Sequence, residues 1–245
     1  MFILLSSGCK SKSQRSFIIA GSANMQYALQ ELCDTFYSNY DIEPQVVLGS
    51  SGKLTAQIKE GAPYDLFLSA DVKYPLNLYE KSLTIDMPET YAFGELILWT
   101  MNTKLDLSIE QISKSKIKHI AIPNPETAPY GSSAIEFLNN IGMYEVLKDD
   151  LVFGESVAQT NQFVFSGAAD VGISANSTRF SPYLSKKGKF LLIPEDLYEP
   201  IRQSVVIINN KKGVNEWAIK FYEFLFSNEA KTILSNNGYT VDGLK

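Results

Sequence analysis

Short apolar runs alternate with amphipathic stretches along most of the chain. The isoleucine-rich run at 17–20 predicts a buried strand, and apolar residues then recur at three- and four-residue steps over 25–40, a pattern typical of an amphipathic helix. Apolar runs at 45–48 and 65–70 predict two further strands, with a short amphipathic helix at 54–60 between them. Strands that alternate with helices predict a parallel sheet with right-handed crossovers.

The same alternation restarts after Phe93 and continues to the end of the chain. It predicts strands at 95–100, 119–123, 169–175 and 204–208, and helices at 108–113, 132–141, 157–165, 214–225 and 228–234. Ser133 and Glu136 have the spacing of a capping box at the start of helix 132–141. Since no linker rich in Pro or Gly divides the two α/β units, we expect two lobes joined by crossing strands. The first lobe would take residues 17–92 plus 204–245, and the second lobe 93–203.

Two strand-to-helix junctions carry turns of serine and glycine. Gly49-Ser50-Ser51-Gly52-Lys53 follows one predicted strand, and Ala20-Gly21-Ser22 ends another. Hydroxyls and backbone N–H groups in front of a helix N-terminus suit an anion, and the carboxyl ends of neighbouring strands gather at one edge of a sheet. The sequence therefore predicts an anion-binding cleft. The alternative is that Ser22 and Ser51 only cap their helices.

The charge and the residue inventory exclude several classes of function. A net charge of −5 argues against nucleic acid or an anionic membrane surface as a partner, because both require a basic face. The chain has one histidine, His119, and it has no Gly-x-Ser-x-Gly elbow, no Walker-type loop and no spacing of metal ligands. We therefore expect neither catalysis nor a metal or cofactor site.

The two cysteines differ in their surroundings. Cys33 lies on the apolar face of a predicted helix, where it is expected to be a small buried hydrophobe. Cys9 follows the apolar run 1–8 and precedes the polar residues 10–15, which resembles the end of a bacterial lipoprotein signal peptide whose cysteine is lipidated. Residues 1–16 are thus expected to be signal, lipid anchor and tether, although Ser6 replaces the usual aliphatic residue and a basic start is missing. The alternative is an N-terminal tail with an incidental cysteine.

The longest informative stretch runs from the Ser/Gly turn onward. Gly49-Ser50-Ser51-Gly52-Lys53-Leu54 and residues 57–71 resemble the periplasmic molybdate-binding proteins of ABC importers. Ala20-Gly21-Ser22 matches the first binding turn of that family, and residues 224–231 with Gly238-Tyr239 resemble its C-terminal helix and end. The resemblance covers the chain from about Phe17 to the C-terminus. It implies an α/β, two-lobed type II periplasmic-binding-protein fold, in which each lobe is a mostly parallel sheet flanked by helices.

The resemblance also implies a ligand site made of uncharged donors. In the family, hydroxyl and backbone N–H groups of both lobes surround a tetrahedral dianion, and no cation contacts it. Carried over residue by residue, the donors are the hydroxyls and amides of Ser22 and Ser51 and the backbone amides of Tyr130 and Val157. Molybdenum would then be bound as an oxyanion through these four residues, without direct metal ligands and without a cofactor.

One position departs from the family pattern. The family often adds a tyrosine hydroxyl just after its Gly-Ile strand, and this chain has Ala175 there. Ser174 and Asn176 are the candidates to replace the missing donor; otherwise one contact is absent. The preference among oxyanions is therefore left open.

The function implied by the resemblance is capture of a small inorganic oxyanion for import. The protein is expected to bind molybdate, and with it tungstate, between its lobes and to deliver it to the permease subunits of an ABC transporter. It would act as a monomer in the bacterial cell envelope, periplasmic or extracytoplasmic, held to the membrane only by the lipid on Cys9. Three alternatives remain: a binder of sulfate or another tetrahedral oxyanion, a cytoplasmic sensor domain, and an enzyme on the same fold.

Overall fold

The computed structural model describes residues 16–109, 112, 117–210 and 213–241. The predicted lipidation site Cys9 lies outside these residues. Of the helix predicted at 108–113, residues 108, 109 and 112 are described, and none of them is helical. The prediction is wrong for these three residues; the Ile112 N–H donates to the Ile109 carbonyl at 3.4 Å, which is the hydrogen bond of a turn.

The described residues form strands and helices in alternation. The strands are β1 Ile18–Ser22, β2 Gln45–Gly49, β3 Leu66–Ser69, β4 Glu89–Gly94, β5 Leu96–Thr100, β6 Ile120–Pro123, β7 Leu151–Gly154, β8 Val171–Ala175, β9 Lys189–Leu192 and β10 Ile201–Ile207. The α-helices are α1 Gln26–Tyr40, α2 Ser51–Lys59, α3 Lys73–Tyr79, α4 Pro129–Asn140, α5 Tyr144–Leu147, α6 Val157–Phe165, α7 Leu184–Lys187, α8 Glu216–Leu225 and α9 Asn228–Asn236. Short 3-10 helices occupy Ala23–Met25, Lys148–Asp150, Asn176–Phe180 and Glu195–Leu197.

Two sheets organise the described residues and define two lobes. The sheet of the first lobe has the order β2-β1-β3-β10-β4, and that of the second lobe has the order β7-β6-β8-β5-β9. In the first, β1 runs parallel to β2 and β3, while β10 runs antiparallel to β3 and β4. In the second, β6 runs parallel to β7 and β8, while β5 runs antiparallel to β8 and β9. The predicted two-lobed α/β fold is confirmed, but the sheets are mixed rather than mostly parallel.

The antiparallel pairings have a simple origin. β4 leads from the first lobe toward β5, and β10 returns from the second lobe to pair with both β3 and β4. The expected lobe boundaries at 92/93 and 203/204 fall inside β4 and β10, and the division into residue ranges stays a prediction.

The central strands of both sheets are buried on their two faces. Along β3, Leu66 and Leu68 pack against α1, α8 and α9, whereas Phe67 between them packs against α2 and α3. β5 alternates in the same way in the second lobe. Because successive side chains of a strand point to opposite faces, a strand covered on both sides is apolar throughout. Within the described part of the chain, no helix has the combination of length and apolar character that crossing a bilayer requires.

Helix α4 begins earlier than its sequence pattern indicates. Its first residue is Pro129, so that Ser133 and Glu136 lie inside the helix and the predicted capping box is wrong. Proline is well suited to the first helical position, because its fixed φ is helical and the N–H it lacks would have no partner there. This shift moves Tyr130 into the first turn of α4.

Candidate functional site

The ends of three strands bring the first-lobe serines together. Ser22 is the last residue of β1 and lies opposite Gly49 of β2 in the parallel register, and Ser51 follows two residues later as the first residue of α2. The Ser51 Oγ lies 3.2 Å from the Ser22 Oγ, and it accepts the Ala70 N–H, just beyond β3, at 3.0 Å. Both serines are buried. The two hydroxyls therefore lie side by side where the carboxyl ends of the strands meet.

These serines are not engaged as helix caps. Ser22 precedes the 3-10 helix Ala23–Met25 and Ser50 precedes α2, but neither side chain makes a cap hydrogen bond. Ser51 itself lies inside α2. Since the first N–H groups of a helix have no acceptor within it, the Ser51 amide is oriented out of the α2 N-terminus as a donor. The geometry thus favours the anion-binding interpretation of the two serines over the capping one.

The second lobe repeats this arrangement with two helix N-termini. β6 and β7 run parallel with Pro123 opposite Gly154, and α4 and α6 begin shortly after these strand ends. Tyr130 is the second residue of α4 and Val157 is the first residue of α6, and both are buried. Ser156 caps α6 by accepting the Gln159 N–H, which leaves the Val157 amide in the uncommitted first turn.

Contacts across the gap place the two sets of donors face to face. The Gly52 N–H, next to Ser51, donates to the Thr127 carbonyl at 2.9 Å. The Lys53 ammonium pairs with Glu155, two residues before Val157, at 2.5 Å. The N-terminus of α2 therefore lies opposite those of α4 and α6. Each helix start carries about half a positive charge, so the three helix termini together favour an anion in the gap.

Ser174 and Asn176 are not available as replacement donors. The Ser174 hydroxyl accepts the Trp99 indole N–H and donates to the Asn161 Oδ1, both at 3.0 Å, within the second lobe. The Asn176 Nδ2 donates to the Glu95 carboxylate at 2.6 Å and to the Gly238 carbonyl at 3.4 Å. The prediction that either residue supplies the missing donor at Ala175 is therefore corrected, because their hydrogens are engaged elsewhere.

A buried polar network behind the serines was not predicted from the sequence. The Asn24 carbonyl, two residues after Ser22, accepts the Ser177 hydroxyl at 2.7 Å and the Tyr239 hydroxyl at 2.8 Å. The Asn24 Nδ2 donates to Gln203 and Tyr239. Burial raises the pKa of Tyr239, which stays a neutral hydrogen-bonding group. Since Ser177 belongs to the second lobe, this network links the lobes directly at the Ser22 turn. The family-like Gly238-Tyr239 was the one sequence signal for it.

The acidic residues near the strand ends have internal partners. The Asp71 carboxylate accepts the Ser69 hydroxyl and the Tyr74 N–H, both at 3.1 Å. The Asp170 carboxylate accepts the amides of Lys118 and His119. These internal hydrogen bonds give both carboxylates a structural role. Asp71 also lines a groove of about 410 Å³ that runs between the lobes beside Arg202.

Comparison with known proteins places this geometry in a family. Residues 17–240 match the model of the family described as bacterial extracellular solute-binding protein. The chain belongs to this family. The molybdate-binding protein ModA of Rhodobacter capsulatus is 34% identical over 228 residues, which cover 92% of this chain and 88% of that protein. The putative ABC transporter substrate-binding lipoprotein YvgL of Bacillus subtilis is 28% identical over 249 residues, covering 98% of this chain and 94% of that protein.

A solved structure carries the same architecture. The periplasmic molybdate-binding protein of Azotobacter vinelandii superimposes with a TM-score of 0.85 at 31% identity, covering 92% of this chain and 99% of that one. The similarity therefore includes both lobes of this solute-binding protein and the segments that join them.

Proposed function

We propose that this solute-binding protein captures molybdate, and with it tungstate, between its lobes and delivers it to the permease subunits of an ABC importer. The observation that carries the proposal is the meeting of the paired Ser22 and Ser51 hydroxyls with the first-turn amides of α2, α4 and α6. The names of its relatives from Rhodobacter and Azotobacter support molybdate as the ligand.

The energetics of such a site suit a fully ionised oxyanion. A hydrogen bond to a charged group contributes about 1.5–3 kcal/mol net, and a micromolar dissociation constant corresponds to about 8 kcal/mol. About five to seven such hydrogen bonds can supply that free energy after the cost of ordering the ligand and the lobes. Donors alone cannot accept a proton, so a protonated phosphate would leave its own hydrogen unpaired. The remaining discrimination among dianions depends on the size of the gap.

The wider setting of this role follows from the family. A protein that only binds and releases its ligand needs neither a catalytic group nor a cofactor. We place it outside the cytoplasm as a monomer, with lipid on Cys9 as its only attachment to the membrane. The lipoprotein named among its relatives supports that attachment.

Calorimetric titration of the purified, ligand-stripped protein tests the proposal. Molybdate and tungstate should bind at micromolar or lower concentration, and sulfate and phosphate far more weakly. A preference for sulfate would support the oxyanion site but show that molybdate is not its ligand. Failure of all four anions to bind would refute the oxyanion site itself.

Replacing Ser22 or Ser51 by Ala tests the two hydroxyls. Each change removes one hydrogen bond to a charged ligand, so the dissociation constant for molybdate should rise roughly tenfold to a hundredfold. Ser166→Ala is the matched control, because Ser166 is exposed and its hydroxyl bonds only to the Phe163 carbonyl in the last turn of α6. Unchanged affinity in both site variants would show that the assignment is wrong.

A further inference from the structure

Gly52 lies at the point where the two lobes touch. Its N–H donates to the Thr127 carbonyl at 2.9 Å. A Cβ added at this position would lie 3.0 Å from both the Cα and the carbonyl oxygen of Thr127 and 2.8 Å from the Tyr74 hydroxyl. Gly52 is the second residue of α2 and its φ is not positive. Glycine is therefore required here by the close approach of another backbone and not by an unusual conformation.

The second-lobe surface that meets Gly52 is a tight turn. The N–H groups of Thr127 and Ala128 both donate to the Asn124 carbonyl, and the Glu126 N–H donates to the Asn124 side chain. The Asn124 N–H in turn donates to the Gly154 carbonyl at 2.7 Å, which ties the turn to the end of β7. These bonds resist a local shift of Thr127. Volume added at position 52 is therefore accommodated mainly by moving the lobes apart.

This contact is adjacent to the proposed donors on both sides. Gly52 follows Ser51 directly, and Thr127 precedes Tyr130 by three residues. Both flanking segments belong to helix starts whose positions are set by their strands. The separation of the Gly52 and Thr127 backbones thus determines how far the first-lobe donors lie from the second-lobe donors.

We propose that the backbone contact between Gly52 and Thr127 is the stop that sets the width of the closed gap, and that Gly52 is thereby a specificity-determining residue for the size of the bound anion. The inference rests on the proposed function and adds a residue that does not itself contact the ligand. A wider gap lengthens the hydrogen bonds from one lobe. Sulfate is smaller than molybdate, so in a widened gap its hydrogen bonds to the two lobes lengthen more than those of molybdate.

Gly52→Ala tests the stop. The dissociation constant for molybdate should rise at least fivefold, and that for sulfate should rise by a larger factor. The radius of gyration with saturating molybdate, measured by small-angle X-ray scattering, should exceed that of the wild type. The unfolding midpoint of the ligand-free variant should not fall, because alanine is the better helix former and the contact forms only when the lobes meet. A merely structural role for Gly52 would lower this midpoint.

Lys59→Ala is the control on the same helix, since Lys59 is exposed at the far end of α2. It should bind both anions within twofold of the wild type. Either of two results refutes the stop. In the first, Gly52→Ala binds molybdate and sulfate within twofold of the wild type. In the second, its dissociation constants for both anions rise by the same factor and its radius of gyration does not change. A wild-type protein that binds no oxyanion refutes the proposed function instead, so the two failures are distinguishable.

Discussion

Asp71 carries a partly buried carboxyl group at the edge of the interlobe groove. Burial raises its pKa above the usual value, and the hydrogen bonds from the Tyr74 N–H and the Ser69 hydroxyl, with the charge of Lys73, only partly oppose this. The folded protein therefore holds a proton on Asp71 at a pH where the unfolded chain has released it. By linkage, the stability that this proton contributes is fully present below the unfolded pKa and is lost as the pH rises through the folded value.

Asp71→Asn should remove this dependence on pH while keeping an oxygen that accepts the Tyr74 N–H. As the pH falls from neutral toward the usual carboxyl range, the free energy of unfolding of the wild type should rise relative to that of the variant. Urea unfolding at a series of pH values measures the difference. Parallel curves for the two proteins would show that the carboxyl is not perturbed.

The fate of individual hydroxyls explains how far the site could be predicted. Ser22 and Ser51 could be proposed from the sequence because each stands in a local turn between a strand and a helix, and that arrangement is visible in sequence. Ser174 was misassigned because its partners, Trp99 and Asn161, come from β5 and α6 and are brought to it only by the folded sheet. Residues with local geometry are predictable, whereas the direction of a hydroxyl inside a core depends on distant segments.

Helix starts in this protein differ in whether a side chain caps them. α8 and α9 begin on the outside of the first lobe, and their caps Asn215 and Ser227 accept the N–H groups of Trp217 and Ala230. α2 and α4 begin at the gap between the lobes, and neither has a side-chain cap. An uncapped start leaves its first amides free for an anion. The uncapped starts of α2 and α4 agree with the binding geometry, but capping alone does not mark the site, because α6 at the gap is capped by Ser156 whereas α1 and α3 also lack a side-chain cap.

Two serine substitutions separate these cases. Ser227→Ala removes a cap hydrogen bond and should lower the free energy of unfolding by about 1 kcal/mol. Ser50→Ala should lower it by much less in the ligand-free protein, because the buried Ser50 hydroxyl has no hydrogen-bond partner among the described residues. Denaturant unfolding of both variants gives the comparison. Equal losses would contradict the distinction between capped and uncapped starts.

The predictability of the elements follows their position in the sheets. Helix α6 matches its sequence prediction at both ends, because its apolar face is packed on the sheet and its cap is local. The sequence did not predict β4, β7 and β9, all of which are edge strands. An edge strand has one neighbour and is partly exposed, so its apolar pattern is often weak. The edge strand β2 was still predicted, because its residues 46–48 are apolar although they are exposed. Proline at the start of α4 was overlooked for a different reason, since a plausible capping box followed it.

At the scale of the whole molecule, the lobes are joined by contacts that do not involve a ligand. The Ser177 hydroxyl reaches from the second lobe to the Asn24 carbonyl of the first, close to Ser22. The Tyr239 hydroxyl donates to the same Asn24 carbonyl, which therefore has a second hydrogen-bond donor. We therefore expect opening of the lobes to break the bond from Ser177 and to leave the bond from Tyr239.

Ser177→Ala should weaken the closed form without removing a proposed donor. A net contribution of about 0.5–1.5 kcal/mol for one neutral hydrogen bond corresponds to roughly a twofold to twelvefold rise in the dissociation constant for molybdate. Calorimetry measures the affinity, with Ser166→Ala again as control. The expectation fails if Ser177→Ala binds molybdate as tightly as the wild type.

The return of β10 to the first sheet has a consequence for how the chain folds. All strands of the second sheet lie within one uninterrupted stretch of the chain. In the first sheet, one edge of β3 stays unpaired until β10 has been added. The hydrophobic core of the first lobe is also incomplete without the C-terminal helices. Phe17 and Phe36 pack against Phe221 with ring centroids 5.6 and 5.1 Å apart. Contacts between residues about two hundred positions apart form slowly, because a long loop must close first. The second lobe can thus be complete while the first still exposes an open strand edge, and the lobe that contributes the Ser22 and Ser51 turns is finished only when the last helices have been added.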